Sequence, residues 1–220
     1  MQSTSSPPKI VAIDDHAMIL TGIVDLLKQK YPEAEVWVAQ TKQAGQELIA
    51  SQHPDLAIVD LAIPNQTGSK ATAENGVTLL EGLMQQSPLL NIAVLSANAN
   101  PLVRLKPQID NHEGGFTVSD KGWAIEEIVK RVNMALEGGR FLPKEMKLGL
   151  ELKSEWLEML RLAFEEGLTD KAIAQRMSVA EKTVQNYFTK VQDVLEIYRE
   201  DGHNLRSQTA RKAREAGLID

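Results

Sequence analysis

Residues that could do chemistry stand at the ends of short apolar runs. Asp14 and Asp15 follow the run KIVAI, Asp60 follows LAIV, and Ser96 ends NIAVLS. Like charges held close together repel and raise each other's pKa, and a hard divalent cation such as Mg²⁺ relieves that repulsion. If these run ends meet in space, the set predicts a Mg²⁺ site in which Asp60 is a possible nucleophile that forms an acyl phosphate.

The same residues could instead have a purely structural role. An aspartate at the end of a strand is often a helix cap or a turn residue. The clustering of three acids and a hydroxyl favours the functional interpretation over that one. His16 follows the acidic pair without a second histidine at ligand spacing. Because metal-site histidines come in sets, we interpret His16 as a structural or capping residue.

The elements that must position these residues alternate along the first half of the chain. Five apolar runs predict strands: KIVAI, EVWVA, LAIV, NIAVLS and GFTV. Between them, apolar residues recur at three- and four-residue intervals in 17–28, 42–50, 77–84 and 123–136, with a weaker helix in 101–110. Alternating strands and helices predict a doubly wound, five-stranded parallel sheet in an α/β domain, with function at the carboxyl ends of the strands.

The second part of the chain has no strand pattern. The segment EGGRFLPKEMKLG interrupts the periodicity, so the sequence predicts a first domain over 9–137, a linker over 138–150 and a second domain over 151–220. In the second domain, four helices are predicted at 154–165, 170–177, 179–199 and 206–216, in an all-α helix-turn-helix arrangement. Thr169 is placed to cap the second of them, and Ser178 with Glu181 forms a capping-box pattern before the third.

The motifs resemble those of bacterial two-component response regulators. IDDH, HPDLAIVDLAIP and VLSA are similar to receiver-domain motifs, and GLTDKAIAQRMSVAEKTVQNYFTKV is similar to a LuxR-type helix-turn-helix. Together they resemble the NarL/FixJ branch, over nearly the whole chain. The resemblance implies a flavodoxin-like receiver, and a DNA-binding transcriptional regulator whose phosphoryl donor is a sensor histidine kinase.

The resemblance also implies roles for single residues. Asp60 is the implied phosphoacceptor, and the backbone carbonyl of Ala62 completes an Mg²⁺ site with Asp14, Asp15 and Asp60. The hydroxyl of Ser96 is implied to turn toward the phosphoryl group as a switch, together with an aromatic residue on the fifth strand, Phe116.

Two departures from the receiver pattern are visible. Receivers place a lysine after the fifth strand; counting from Phe116 puts Ser119 there, whereas counting from the following helix puts Lys121 there. We favour Lys121 because a lysine stem is long, while a solvated loop lysine remains the alternative. An insertion over 65–75, beside the acidic residues, is the second departure, and its polar composition predicts an exposed loop.

Polar side chains of the helix-turn-helix are candidates for DNA contact. Amides can bond adenine edges, lysines can reach guanine or phosphate, and a helix start can hold a phosphate. The candidate residues are Thr169, Lys171, Lys182, Thr183, Gln185, Asn186, Thr189 and Lys190. Residues 151–220 hold 11 Lys+Arg against 13 Asp+Glu, a net charge of −2. Strong DNA binders are normally basic, so we expect a homodimer that doubles the contacts, with a domain adapted to protein contact as the alternative.

Composition narrows the function classes. The 220 residues contain no cysteine, which excludes disulfides and thiolate chemistry. We expect a cytoplasmic protein with no membrane partner, because the chain has no signal-like start and no long apolar run. An aspartyl phosphatase of the haloacid dehalogenase type would need Asp-x-Asp where this chain has Asp-Asp-His, so we expect no enzyme. The remaining alternative is a degenerate receiver that works without phosphorylation as a protein- or ligand-controlled DNA-binding module.

Overall fold

A computed structural model describes residues 7–143, 153–198 and 202–219. The chain separates into two compact units. The first holds the residues up to Ala99 and Leu105–Pro143, and the second holds Asn100–Arg104 and the C-terminal part of the chain. Much of the predicted linker, residues 144–150, lies outside the described residues, so the predicted boundaries at 137 and 151 stay predictions.

The first unit alternates strands and helices, as the sequence predicted. Its strands are β1 (Lys9–Ile13), β2 (Glu35–Ala39), β3 (Leu56–Val59), β4 (Ile63–Pro64), β5 (Ala71–Thr72), β6 (Asn91–Ser96), β7 (Phe116–Asp120) and β8 (Arg140–Phe141). Its helices are α1 (Ala17–Lys30), α2 (Lys42–Gln52), α3 (Ala73–Gln86), α4 (Lys106–Asn111) and α5 (Ile125–Leu136), and a 3₁₀ helix spans Asn100–Leu105.

The main sheet is parallel throughout, with the strand order β2-β1-β3-β6-β7-β8. This confirms the doubly wound α/β class, with six strands instead of the five predicted. The sixth strand, β8, pairs Arg140 with Phe116 and Phe141 with Thr117. Residues 140–141, which the sequence places in the linker, thus belong to the sheet. The guanidinium carbon of Arg131 lies 3.7 Å from the centre of the Phe141 ring, and this contact holds the short strand against α5.

Apolar strands become the centre of the unit because both of their faces are covered. Ile10, Val11 and Ala12 are fully buried although they are consecutive, as expected for a strand with helices on each side. Alternate residues of β1, β3 and β6 pack with α1 and α5 in one cluster. The carboxyl ends of these strands therefore meet at one edge of the sheet, which positions the acidic residues.

The insertion folds back on itself beside that edge. β4 and β5 pair antiparallel, with Ile63 opposite Thr72, and the turn between them is exposed, as predicted for this polar segment. The carbonyl of Asn65 accepts a hydrogen bond from the Gln43 backbone at 3.1 Å, which ties the hairpin to the start of α2. At Gly76 a Cβ would lie 2.3 Å from the Leu61 carbonyl oxygen, so only glycine allows α3 to begin this close to β3.

The second unit contains four helices in its described residues: α6 (Ser154–Phe164), α7 (Asp170–Arg176), α8 (Glu181–Val194) and α9 (Leu205–Glu215). Thr169 caps α7 as predicted, because its hydroxyl accepts a hydrogen bond from the Ala172 backbone. The predicted capping box before α8 is absent: Ser178 has a φ of 56°, and Ala180 occupies the cap position. Helix α8 ends five residues earlier than predicted, since Glu196 has a left-handed φ of 52° just beyond its end.

Candidate functional site

The strand-end acids converge at one edge of the sheet. The Asp60 backbone N–H donates to the Ile13 carbonyl at 2.8 Å, which fixes the end of β3 against the end of β1. Asp14 and Asp60 are each only 2% exposed, and Asp15 is half-buried. The parallel register of β1 and β3 thus brings two carboxylates out of water, side by side.

Lys121 joins this cluster. Its Nζ lies 2.8 Å from Asp60 Oδ2 and 2.7 Å from Asp14 Oδ2, and its backbone N–H donates to the Ser96 carbonyl. Ser119, the other candidate from the sequence, is buried within β7 and pairs with Leu95. Of the two positions that the sequence left open, the structure brings Lys121 to the acidic residues.

Burial and charge act on these groups in opposite directions. Burial raises the pKa of Asp60 above its ordinary value, and the negative charge of Asp14 adds to that rise. The hydrogen bond and charge of Lys121, and a backbone hydrogen bond from Ala62, partly oppose it. Burial lowers the pKa of Lys121, but its contacts with Asp14 and Asp60 outweigh burial and raise the pKa overall. The ammonium group therefore stays protonated and offsets the carboxylate charge.

The donor atoms suit a hard cation. Asp14, Asp15, His16 and Asp60 each offer a ligand atom, and these atoms lie within 4.8 Å of one another. Three of the four are carboxylates, the ligand type that Mg²⁺ prefers. Nδ1 of His16 lies 2.6 Å from Asp15 Oδ1 and 3.1 Å from Asp14 Oδ1, and its side chain is largely exposed. The imidazole therefore contacts both acids, while His16 at the N-cap position of α1 makes no side-chain cap hydrogen bond, and its structural role stays a prediction. Ala62 is exposed two residues after Asp60.

The two predicted switch residues differ in their placement. Ser96 is buried at the end of β6, and its hydroxyl donates to the Asn98 carbonyl at 3.1 Å. Phe116 lies at the opposite, amino end of β7, paired with Ile92, and its fully buried ring meets His112 edge-on. Its interpretation as a switch residue is corrected, because the register holds this ring in the core, away from the acidic residues. Counted from the aromatic position at Phe116, the lysine position lies three residues later, at Ser119. The same spacing counted back from Lys121 leads to Val118, which is not aromatic.

The second unit presents the predicted polar residues on one side of α8. Val184, Phe188 and Val191 are buried and face the core of the unit. Thr183 is half-buried, and the other predicted DNA-contacting residues of α8 are exposed: Lys182, Gln185, Asn186, Thr189 and Lys190. Thr169 and Lys171, at the start of α7, are exposed as well. The structure thus leaves this set accessible to a large ligand.

Arg206 has a role that sequence reasoning missed. Its guanidinium lies 2.5 Å from Asp170 Oδ1 and 4.5 Å from the centre of the Phe188 ring. These contacts connect α9 with the start of α7 and the inner side of α8. An arginine near an acid and an aromatic residue is not a distinctive pattern in sequence, because the three lie far apart along the chain.

Comparison with known proteins decides the family. The model of the response regulator receiver domain matches residues 10–133, which is more than half of the chain. The chain belongs to the response regulator receiver family. The match ends within α5, so it covers the acidic residues, Ser96 and Lys121 but none of the helices α6 to α9.

Longer similarities extend beyond the receiver. The DNA-binding transcriptional activator DevR/DosR of Mycobacterium tuberculosis is 28% identical over 199 residues, which cover 83% of this chain and 86% of that protein. The nitrate/nitrite response regulator protein NarL of Escherichia coli is 27% identical over 202 residues, which cover 83% of this chain and 87% of NarL. Both spans include much of the second unit.

Solved structures share the fold. RcsB of Salmonella enterica serovar Typhimurium, bound to promoter rprA with the phosphomimetic BeF₃⁻, has a TM-score of 0.56 and 24% identity. The alignment covers 93% of this chain and 97% of that one. Another structure, of two RcsB dimers bound to two parallel DNAs, has a TM-score of 0.57 and 23% identity, and covers 94% of this chain and 98% of that one.

Across the residues that the structure describes, no helix combines the length and the apolar character needed to cross a bilayer.

Proposed function

We propose that this receiver-family chain is a two-component response regulator that accepts a phosphoryl group on Asp60 and regulates transcription by binding DNA. The observation that carries the proposal is the buried cluster of Asp60, Asp14 and Lys121, with Lys121 Nζ within 2.8 Å of both carboxylates. The contact supports Lys121 as the lysine of the site, and an uncertain lysine was one of the two reasons, with the insertion, to consider a degenerate receiver. No distinct observation favours that alternative.

The chemistry assigned to Asp60 is transfer from a phosphohistidine of a sensor histidine kinase. A carboxylate oxygen of Asp60 forms a bond to phosphorus while the bond from phosphorus to the histidine nitrogen breaks. The leaving nitrogen keeps the electron pair, and a proton on the other ring nitrogen of the phosphohistidine makes the leaving group a neutral imidazole. Lys121 then pairs with a phosphoryl oxygen, since a charge-assisted hydrogen bond to an ammonium is among the stronger contacts that a protein offers.

The residues that would hold Mg²⁺ are Asp14, Asp15, Asp60 and the carbonyl of Ala62. Three carboxylates clustered with one lysine leave a negative excess, which suits a divalent cation with oxygen ligands. When bound, the ion supplies positive charge against the transferring phosphoryl oxygens.

Ser96 is the proposed switch residue. Its hydroxyl donates to the Asn98 carbonyl in this structure, so a turn about one side-chain bond would redirect it toward a phosphoryl group on Asp60. The loop after β6 then loses that hydrogen bond. A small change of charge is thereby converted into a change of loop structure.

The DNA-reading residues are assigned to the exposed side of α8. Lys182, Thr183, Gln185, Asn186, Thr189 and Lys190 are proposed for base and phosphate contacts, with Thr169 and Lys171 for phosphate. With a net charge of −2 for residues 151–220, one copy has little electrostatic affinity for DNA. We therefore assign the active form to a homodimer on two half-sites.

Intact-mass measurement tests the phosphoryl acceptor. Incubation with acetyl phosphate and Mg²⁺ is expected to add ~80 Da, the mass of one phosphoryl group, to the wild-type protein. Asp60→Asn should show no adduct, whereas Asp25→Asn, an exposed acid on α1, should keep it. An adduct that persists in Asp60→Asn contradicts the assignment, and so does its absence from the wild type.

A further inference from the structure

The outer edge of β2 is open. β2 is a terminal strand of the sheet, and no strand of the described residues pairs with its outer side. Glu35 N–H donates to the Pro8 carbonyl and the Ala39 carbonyl accepts from Asp14, so residues 35 and 39 direct their backbone groups toward β1. Because this direction alternates along a strand, the N–H and C=O groups of Val36 and Val38 point to the open edge. The edge thus offers two donors and two acceptors.

An apolar groove accompanies this edge. It has a volume of about 630 Å³ and runs between α1, β2 and the start of α2. Ala17, Leu20 and Val24 form its helical wall, at the three- and four-residue spacing of one face of α1. Val38, which lies on the strand side, is 48% exposed, a large fraction for a β-branched residue within a strand. Edge strands with exposed apolar side chains are sites at which another chain can add a strand.

The insertion closes one end of this groove. Thr67, in the turn of the β4–β5 hairpin, belongs to the groove lining. The hydrogen bond from Gln43 to Asn65 holds that turn against α2. The segment that departs from the receiver pattern therefore shapes the groove and gives it a defined end.

The charged residues in the lining of the groove and of the adjoining cavity are acidic. Asp25 is the charged residue in the groove lining, and Glu47 lines an adjoining cavity with Thr67 and Gln66. Glu35 is exposed at the first position of β2. Among the described residues, neither cavity has a lysine or arginine in its lining. A second copy of this chain would bring the same acids face to face, so the charges favour a basic partner.

We propose that the outer edge of β2 and its groove bind an extended peptide segment of a partner protein, in which β-branched apolar residues alternate with lysine or arginine. Main-chain hydrogen bonds to Val36 and Val38 would supply affinity, and alternate side chains would enter the groove. The basic residues would meet the acidic rim. This site is separate from the phosphoryl chemistry, so Asp60→Asn should bind the segment as the wild type does.

A model peptide tests the site directly. The probe is a fluorescein-labelled peptide of alternating valine and lysine, about eight residues long, the length that such strand additions use. With the full chain, anisotropy should saturate, and the backbone amide signals of Val36 and Val38 should shift in NMR spectra. Saturation without shifts at these amides overturns the proposal, and so does the absence of saturable binding.

Three protein variants test strand pairing and the groove separately. Val38→Pro removes an outward N–H, a change that edge strands tolerate, and should weaken binding by at least about tenfold. Thr21→Arg, on the exposed groove wall of α1, should weaken it similarly without any backbone change, whereas Val38→Thr should bind within about twofold of wild type. Equal binding by wild type and Thr21→Arg contradicts the proposal. Self-association of the wild type that Thr21→Arg abolishes would also contradict it, by assigning the edge to a second copy.

Discussion

The carboxyl ends of the receiver strands, where Asp14 and Asp60 lie, and the exposed side of α8 use polar residues in opposite ways. At the sheet edge, Asp14 and Asp60 are buried, and a nearly buried lysine contacts both. On α8, Gln185 and Asn186 project into solvent. The first region is organised by the fold before any ligand arrives, and the second is organised when its ligand binds.

The difference shows which free energy the polar residues of each region affect: that of unfolding in the first and that of ligand binding in the second. Buried charges are expensive unless they are paired, so the receiver edge stores an electrostatic imbalance that a cation or a phosphoryl group can change. Exposed amides cost nothing to the free protein and contribute only when they meet a complementary surface. Substitutions should accordingly alter stability at the first region and DNA affinity at the second.

Lys121→Met should produce the largest effect. It leaves Asp14 and Asp60 buried without their cation, and breaking a buried pair of this kind costs about 3 kcal/mol of unfolding free energy. Urea unfolding in the presence of a chelator measures the loss. Lys130→Met is the matched control, because Lys130 is exposed and lies 3.8 Å from an exposed glutamate. A Lys121 variant as stable as this control would mean that the pairing contributes little.

Gln185→Ala should lower DNA affinity by about 2 kcal/mol at the preferred site while leaving the unfolding free energy unchanged. Lys182→Ala should instead weaken binding to all sequences and reduce the slope of affinity against salt concentration. Fluorescence anisotropy with matched and mismatched duplexes separates the two results. A uniform loss for both variants would show that α8 does not read bases through Gln185.

Asp15→Asn should weaken Mg²⁺ binding by at least about tenfold, since even outer partners of a metal site produce such losses. Isothermal titration calorimetry measures it, and Asp25→Asn serves as the control because Asp25 is exposed on α1. Because Asp15 is only half-buried, this substitution should change stability far less than Lys121→Met. Unchanged Mg²⁺ affinity would remove Asp15 from the proposed ligand set.

Substitution of His112 should produce the smallest effect on stability. It tests burial alone, because His112 has no part in the proposed function. Burial lowers the pKa of His112, which is 5% exposed and hydrogen-bonded to Leu90. The unfolded chain then binds a proton that the native state does not, so stability falls as the pH drops below about 6.5. Unfolding free energies across this range should decline more for wild type than for His112→Gln. Parallel curves would contradict the expected proton linkage.

The strands and helices of the receiver were predictable because apolar runs and helical spacing report burial directly. β1, β2, β3 and β6 have the bounds that their apolar runs predicted. β8 was missed because Arg140 and Phe141 follow two glycines and contain no apolar run. The end of α8 was misplaced because apolar spacing continues through Leu195 and Ile197, and periodicity does not register the left-handed backbone of Glu196.

The residues of the candidate site were predictable where they directly follow a predicted strand. Asp14, Asp15 and Asp60 converge because parallel register brings their positions together. Lys121 was ambiguous because it follows β7 in a loop, and Phe116 proved a poor reference since its ring fills the core at the other end of the strand. The contacts of Arg206 depend on tertiary packing, which no local pattern reveals.

The central claim is that phosphorylation of the buried Asp60 changes the affinity of the exposed side of α8 for DNA. One titration tests it. The probe is a duplex selected from a random pool by the acetyl-phosphate-treated protein. Acetyl phosphate with Mg²⁺ should tighten binding of the wild type by at least about tenfold, within the range of typical allosteric couplings. Asp60→Asn should show the same affinity with and without treatment. Equal affinities for treated and untreated wild type, or an equal gain in Asp60→Asn, would contradict the account.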